Sequence, residues 1–138
     1  MNTEILRSSF ELIVGRNPEP TVRFYEILFE RYPEARPLFG RNSSEAQATM
    51  LRDALVAVVD HLEDAAWLTD TLKALGAKHV SYEVTESMYP WVGDALLSTL
   101  AEVAADDWTP EVEAAWQEAY AAIQGLMLQG ASEAAAAA

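Results

Sequence analysis

The sequence predicts an all-α protein, and three observations carry that expectation. Apolar residues recur at spacings of three and four along nearly the whole chain, and no alternating strand pattern of useful length interrupts them. Helix breakers (Gly15 with Asn17-Pro18, Pro33, Gly40 with Asn42, Thr109-Pro110) separate the periodic stretches. At 138 residues the chain fits one domain, whose core can be large enough to enclose a ligand.

In chain order, residues 3 to 15 form a first helix with Ile5, Phe10, Leu12 and Ile13 near one side. A second runs from about Glu19 to Tyr32, its stripe reading Val22, Tyr25, Phe29 and Tyr32, and Pro33 ends it. A short turn, Glu34 to Phe39, is stopped by Gly40 and Asn42. Ser43 or Ser44 then caps a long helix reaching about Leu62, with an inward stripe of Gln47, Met50 or Leu51, Ala54 or Leu55, and Val58. The next helix, about Asp64 to His79, carries Leu68, Leu72, Leu75 and His79 at spacings of four, three and four. Residues 86 to 104 and 109 to 129 make two more. The last opens on Thr109-Pro110 with Glu111 and Glu113 near the positive end of its dipole. The expected count is six substantial helices plus a short one after the second. Residues 130–138, GASEAAAAA, offer little to bury and are expected to trail as a frayed or disordered tail.

Composition narrows the function classes. The formal net charge is −13, and no Lys or Arg lies beyond Lys78, so the carboxyl-terminal part is acidic without a side-chain base. Such a field repels nucleic-acid phosphates and anionic membrane surfaces, so neither is an expected partner. There is no cysteine, which excludes disulfides, thiolate metal sites and thioether-linked haem. No apolar run is long enough to span a bilayer and no secretory leader is evident, so the cytoplasm is the expected compartment. Oligomeric state is open, although Trp91, Trp108 and Trp116 offer apolar material for an interface.

Only two histidines are present. His61 stands near the end of the long helix among Asp60, Glu63 and Asp64, where a cation suits the helix terminus; it reads as a surface residue. His79 continues a leucine stripe and so faces inward. Taken alone, that position favours a satisfied core histidine over a ligand.

The surrounding constellation adds a second argument. Tyr25 is followed after thirteen residues by Phe39, then by Gln47, with His79 another 32 residues on. The local strings are FYEILFERYPEARPLF, GAKHVSYEV and MYPWVG. Together these resemble a bacterial single-domain haemoglobin related to the haem domain of flavohaemoglobins, over residues 1 to 129. The resemblance implies a three-on-three globin fold, with a globin haem domain over 1–129 and the Ala-rich tail beyond.

It also implies non-covalent haem b, with His79 as the proximal ligand to iron. An imidazole so placed needs an acceptor for its second nitrogen, and on a helix the Leu75 carbonyl, one turn earlier, is in reach. Leu72, Leu75 and Val84 would pack the proximal haem face, and Phe39 would wedge against the porphyrin. Tyr25 and Gln47 match the distal polar pair, and Leu51 matches the apolar residue that crowds the ligand. Tyr89, ten residues past His79, matches a tyrosine that in several relatives joins a glutamate behind the proximal histidine. The glutamate position falls near Ala131, with Glu133 close but off register. Without that carboxylate, support for cleaving an O–O bond is weaker. Glu83 reads as a solvent-facing helix-end residue.

The function implied is reversible binding of dioxygen, with nitric oxide and carbon monoxide as further gas ligands. One alternative is a nitric oxide dioxygenase served by a separate reductase, since no Gly-rich nucleotide-binding turn is found in the chain. The other is a gas-sensing or haem-free globin-like interaction module.

Overall fold

The structure is a computed structural model that describes residues 1–39 and 44–137, Ser44 by its backbone alone. Among them are six α-helices: α1 (Thr3–Arg16), α2 (Pro20–Arg31), α3 (Ser44–Asp60), α4 (Ala65–Ser81), α5 (Tyr89–Ala104) and α6 (Pro110–Ala137). Short 3₁₀ turns at Pro33–Phe39, Glu86–Met88 and Ala105–Asp107 link them. The expected order and the short element after the second helix are present, as are the breaks at Asn17-Pro18, Pro33 and Thr109-Pro110. The stop at Gly40 and Asn42, and Ser43 as a cap, lie outside the described residues.

Local chemistry sets the ends. The Asn2 side chain accepts from the Ile5 amide, and Asp64 caps α4 by accepting from the Trp67 amide at 3.1 Å. Pro20 and Pro90 sit in the first turns of α2 and α5, where a missing N–H costs nothing. After α4 the chain turns through Glu83 at φ 66°, a left-handed position more often filled by glycine. There the Val84 amide returns to the His79 carbonyl at 3.1 Å.

The apolar faces gather into two clusters. The larger joins α1, α2, α3, α5 and α6 around Leu6, Ile13, Phe24, Leu28, Leu100 and Trp116. The smaller joins α4 to the start of α5 and the far half of α6 through Leu68, Leu72, Tyr89 and Met127. Val58 of α3 packs against both.

α4 lies against α6 at unusually short range. A Cβ added to Gly76 would come 2.6 Å from the Met127 Cα, and one added to Gly130 would come 2.5 Å from the Lys73 Cα. Only glycine permits backbones to approach this closely.

Several expectations are corrected. The helix expected to end at residue 129 continues to Ala137, so residues 130–137 are not a loose tail. Gly130 is buried against α4, Glu133 bonds Lys73 at 3.2 Å, and alanine is the strongest helix former. On α2 the buried stripe is Thr21, Phe24, Tyr25 and Leu28, while Val22 is 46% exposed, a helical step of 100° off that face. Leu12 and Met50 are exposed, leaving Ile13 and Leu51 as the inward residues of their turns. Trp116 is buried and donates its indole N–H to Ser9 at 2.9 Å, so it is core rather than interface material.

Candidate functional site

His79 occupies the last turn of α4 and is half buried. Its Nδ1 lies 2.7 Å from the Leu75 carbonyl oxygen, the acceptor expected from helix geometry. A carbonyl can only accept, so Nδ1 carries the proton and donates it, leaving Nε2 with its lone pair. Burial pushes the imidazole pKa down; the Leu75 carbonyl opposes that, and the Lys78 charge adds to it. The side chain is therefore held neutral, in one tautomer, on a rigid helix. Tyr82 meets the ring edge-on at 5.6 Å.

Leu72 is buried in the smaller cluster, with Leu75 and Val84 packed against it and Tyr89 among its buried members. Burial raises the Tyr89 pKa, so the phenol stays protonated. Its backbone carbonyl accepts from the Tyr120 hydroxyl at 2.5 Å. Glu133, the nearest sequence candidate for a carboxylate behind His79, is instead paired with Lys73 at the surface. The Nδ1 proton of His79 thus goes to a carbonyl, a weaker acceptor than a carboxylate. Glu83 is exposed, as expected of a helix-end residue.

Tyr25, Phe39 and Leu51 all belong to the larger cluster. Tyr25 is buried and meets Phe39 edge-on at 5.3 Å, while Phe29 packs beside both. Burial raises the Tyr25 pKa, and a hydrogen bond with the Gln47 side chain draws it partly back. Tyr25 and Gln47, 22 residues apart in the chain, are therefore bonded partners across α2 and α3. A buried phenol and a half-buried amide are costly unless paired, and they pair with each other.

The sequence-predicted residues thus fall into two groups. Tyr25, Phe39, Gln47 and Leu51 stand on the α2–α3 side, and Leu72, Leu75, His79, Val84 and Tyr89 on the α4–α5 side. His61 belongs to neither. Its Nδ1 bonds the Ala57 carbonyl at 2.7 Å and its ring stacks on Trp67 at 3.7 Å, so it is a half-buried helix-end residue rather than an exposed surface one. An open groove of about 590 Å³ between α5 and α6, lined by Gly93, Leu97 and Gln117 among others, contains none of the predicted residues. Sequence reasoning missed Thr21: it is buried, and its hydroxyl donates to the Ala48 carbonyl at 2.7 Å. Its place one turn before Tyr25 was the available signal.

A family profile described as globin matches residues 22–127, which is most of the chain and includes both groups of predicted residues, from Tyr25 to Tyr89. The chain belongs to the globin family. Its relatives include an uncharacterized globin-like protein of Aquifex aeolicus, 32% identical over 116 residues, a match covering 84% of this chain and 81% of that one. A flavohemoprotein of Vibrio cholerae is 33% identical over 118 residues, or 84% of this globin. The chain spans about 30% of the length of the curated flavohemoproteins it matches. An engineered carbene transferase derived from a candidate nitric oxide dioxygenase of Rhodothermus marinus superposes with a TM-score of 0.85 at 27% identity, covering 98% of this chain and 94% of that one. A globin of Campylobacter jejuni superposes with a TM-score of 0.80 at 23% identity, covering 95% and 94%, a likeness of fold. Among the described residues no helix of this globin is long and apolar enough to cross a membrane.

Proposed function

We propose that this globin holds haem b through His79 and binds dioxygen reversibly at the sixth position of the iron. The observation that carries the reading is the 2.7 Å bond from His79 to the Leu75 carbonyl. It fixes a half-buried, neutral imidazole with Nε2 free to ligate, as a haem tether requires. The rest of the donor set fits the group: apolar residues on the histidine side and, on the other, two hydrogen-bonding side chains beside an aromatic cluster.

Haem iron supplies the electron density that binds a diatomic gas reversibly. The chain supplies everything around it. His79 is the metal ligand, and Leu75 is both its hydrogen-bond acceptor and, with Leu72 and Val84, part of the proximal wall. Tyr89 closes that wall, and Phe39 supports the porphyrin from the corner after α2. Tyr25 and Gln47 offer O–H and N–H donors to a polarised gas ligand, while Leu51, one turn beyond Gln47, limits its space. A carbonyl rather than a carboxylate behind His79 suits holding dioxygen more than cleaving it. The working compartment is the cytoplasm, and the physiological role is oxygen binding and supply, with nitric oxide and carbon monoxide as further ligands.

Titrating haem into the haem-free chain tests this. The wild type should saturate at one equivalent with a Soret band, and His79→Ala should lose the haem readily to a competing acceptor. Equal retention by both would overturn the assignment of His79.

A second reading is favoured by the names of the relatives. It is nitric oxide dioxygenation, with electrons delivered by a separate reductase. Continuous nitric oxide consumption in the presence of a generic reductase would support it, and consumption that stops after one equivalent would count against it.

A further inference from the structure

Two threonines are almost wholly buried, and their hydroxyls are used differently. Thr99 donates to Ala95 at 2.8 Å, one turn back on its own helix. Thr21 stands in the first turn of α2, with no turn of that helix behind it to bond. Its hydroxyl crosses instead to α3 and donates to the Ala48 carbonyl at 2.7 Å, with both residues buried. A helical carbonyl has two lone pairs, so Ala48 can accept from Thr21 and still serve its own helix.

The position of this bond matters more than its existence. Tyr25 lies one turn beyond Thr21 on the buried stripe of α2, and Gln47 directly precedes Ala48 on α3. The Thr21–Ala48 bond therefore joins the two helices within a turn of the Tyr25–Gln47 bond. A further tie, the Arg52–Glu19 ion pair at 3.6 Å, involves an exposed carboxylate and holds little. We propose that Thr21 is a positioning residue for the distal pair, its hydroxyl clamping the first turns of α3 onto α2 and so setting the separation of Tyr25 and Gln47. Its effect on gas binding rests on the function proposed above; the clamp itself does not.

The substitution Thr21→Val keeps the shape and removes the hydroxyl, and Thr21→Ser keeps the hydroxyl. In the haem-free full chain, amide exchange over residues 45–51 should quicken in Thr21→Val and return to the wild-type rate in Thr21→Ser. In the haem-loaded carbonyl form, the C–O stretching band of Thr21→Val should move toward that of Tyr25→Phe. Dioxygen release should quicken roughly three- to tenfold, the effect of weakening one hydrogen bond. Thr99→Val, which deletes an equally buried hydroxyl inside α5, should lower stability without moving the band. Should Thr21→Val fail to fold, Thr21→Ala makes the same comparison. Exchange and C–O band both unchanged in a folded Thr21→Val would overturn the clamp. A wild-type chain that takes up no haem would defeat the proposed function instead, and the exchange rates would still decide the clamp.

Discussion

Gly76→Ala should destabilise this globin although it replaces a glycine in mid-helix by the best helix former. At an exposed helical site that exchange is favourable by up to about 1 kcal/mol. At residue 76 the new Cβ would stand 2.6 Å from the Met127 Cα, where ordinary contact begins near 3.4 Å. The neighbour is backbone of α6, so no side chain can swing aside, and because the Met127 carbonyl oxygen stands nearer still to the new Cβ, the two helices must part by more than about 1 Å. Overpacking of this kind costs about 1–3 kcal/mol, the upper part of that range fitting two rigid backbones. Offset by helix propensity, the net loss is about 1–2 kcal/mol, or roughly 3–10 °C in Tm for a chain of this size. Gly125→Ala, in the same helix as Met127 but with nothing within 4 Å of its added Cβ, should raise Tm instead. Because His79 follows Gly76 by three residues, the displaced α4 should also weaken haem retention. Differential scanning calorimetry of the three chains decides it. Gly76→Ala at least as stable as the wild type would refute the reasoning.

Other consequences follow from single residues. Replacing Tyr25 by Phe removes one of the paired distal donors and should speed dioxygen release by roughly five- to tenfold, measured by stopped flow. Because burial depresses the His79 pKa below its ordinary 6.5, its contribution to stability is present above that value. As pH falls below it, the unfolded chain takes up a proton that the folded chain refuses. Stability should therefore decline through that window, and His79→Gln should flatten this part of the profile in denaturant titrations against pH. Glu83 turns the chain at φ 66°, so Glu83→Gly should relieve left-handed strain and stabilise by about 1 kcal/mol, read as a rise in Tm.

What the sequence reveals of this fold is what local chemistry controls. Helix order and breaks follow from periodicity and from Pro, Gly and capping residues. The Leu75 acceptor follows from the i−4 geometry of any helical histidine. The missed features are set by contacts between distant elements. Nothing local in GASEAAAAA tells that Gly130 will seat against the Lys73 backbone, or that Glu133 will meet Lys73 and hold the helix to its end. Thr21 and Val22 are adjacent, and hydropathy favours the valine for the core. The structure buries the threonine because its hydroxyl finds Ala48. Trp116 looked equally suited to an interface until its indole N–H found Ser9.

The central claim is that His79 tethers a haem whose sixth position takes dioxygen. One absorption series on the haem-loaded chain tests it: ferric, dithionite-reduced, then exposed to dioxygen. The account predicts a histidine-ligated ferrous spectrum that changes to a distinct oxygenated form and returns when dioxygen is removed. A Soret band unchanged by His79→Ala, or a ferrous form that dioxygen leaves untouched, would contradict it.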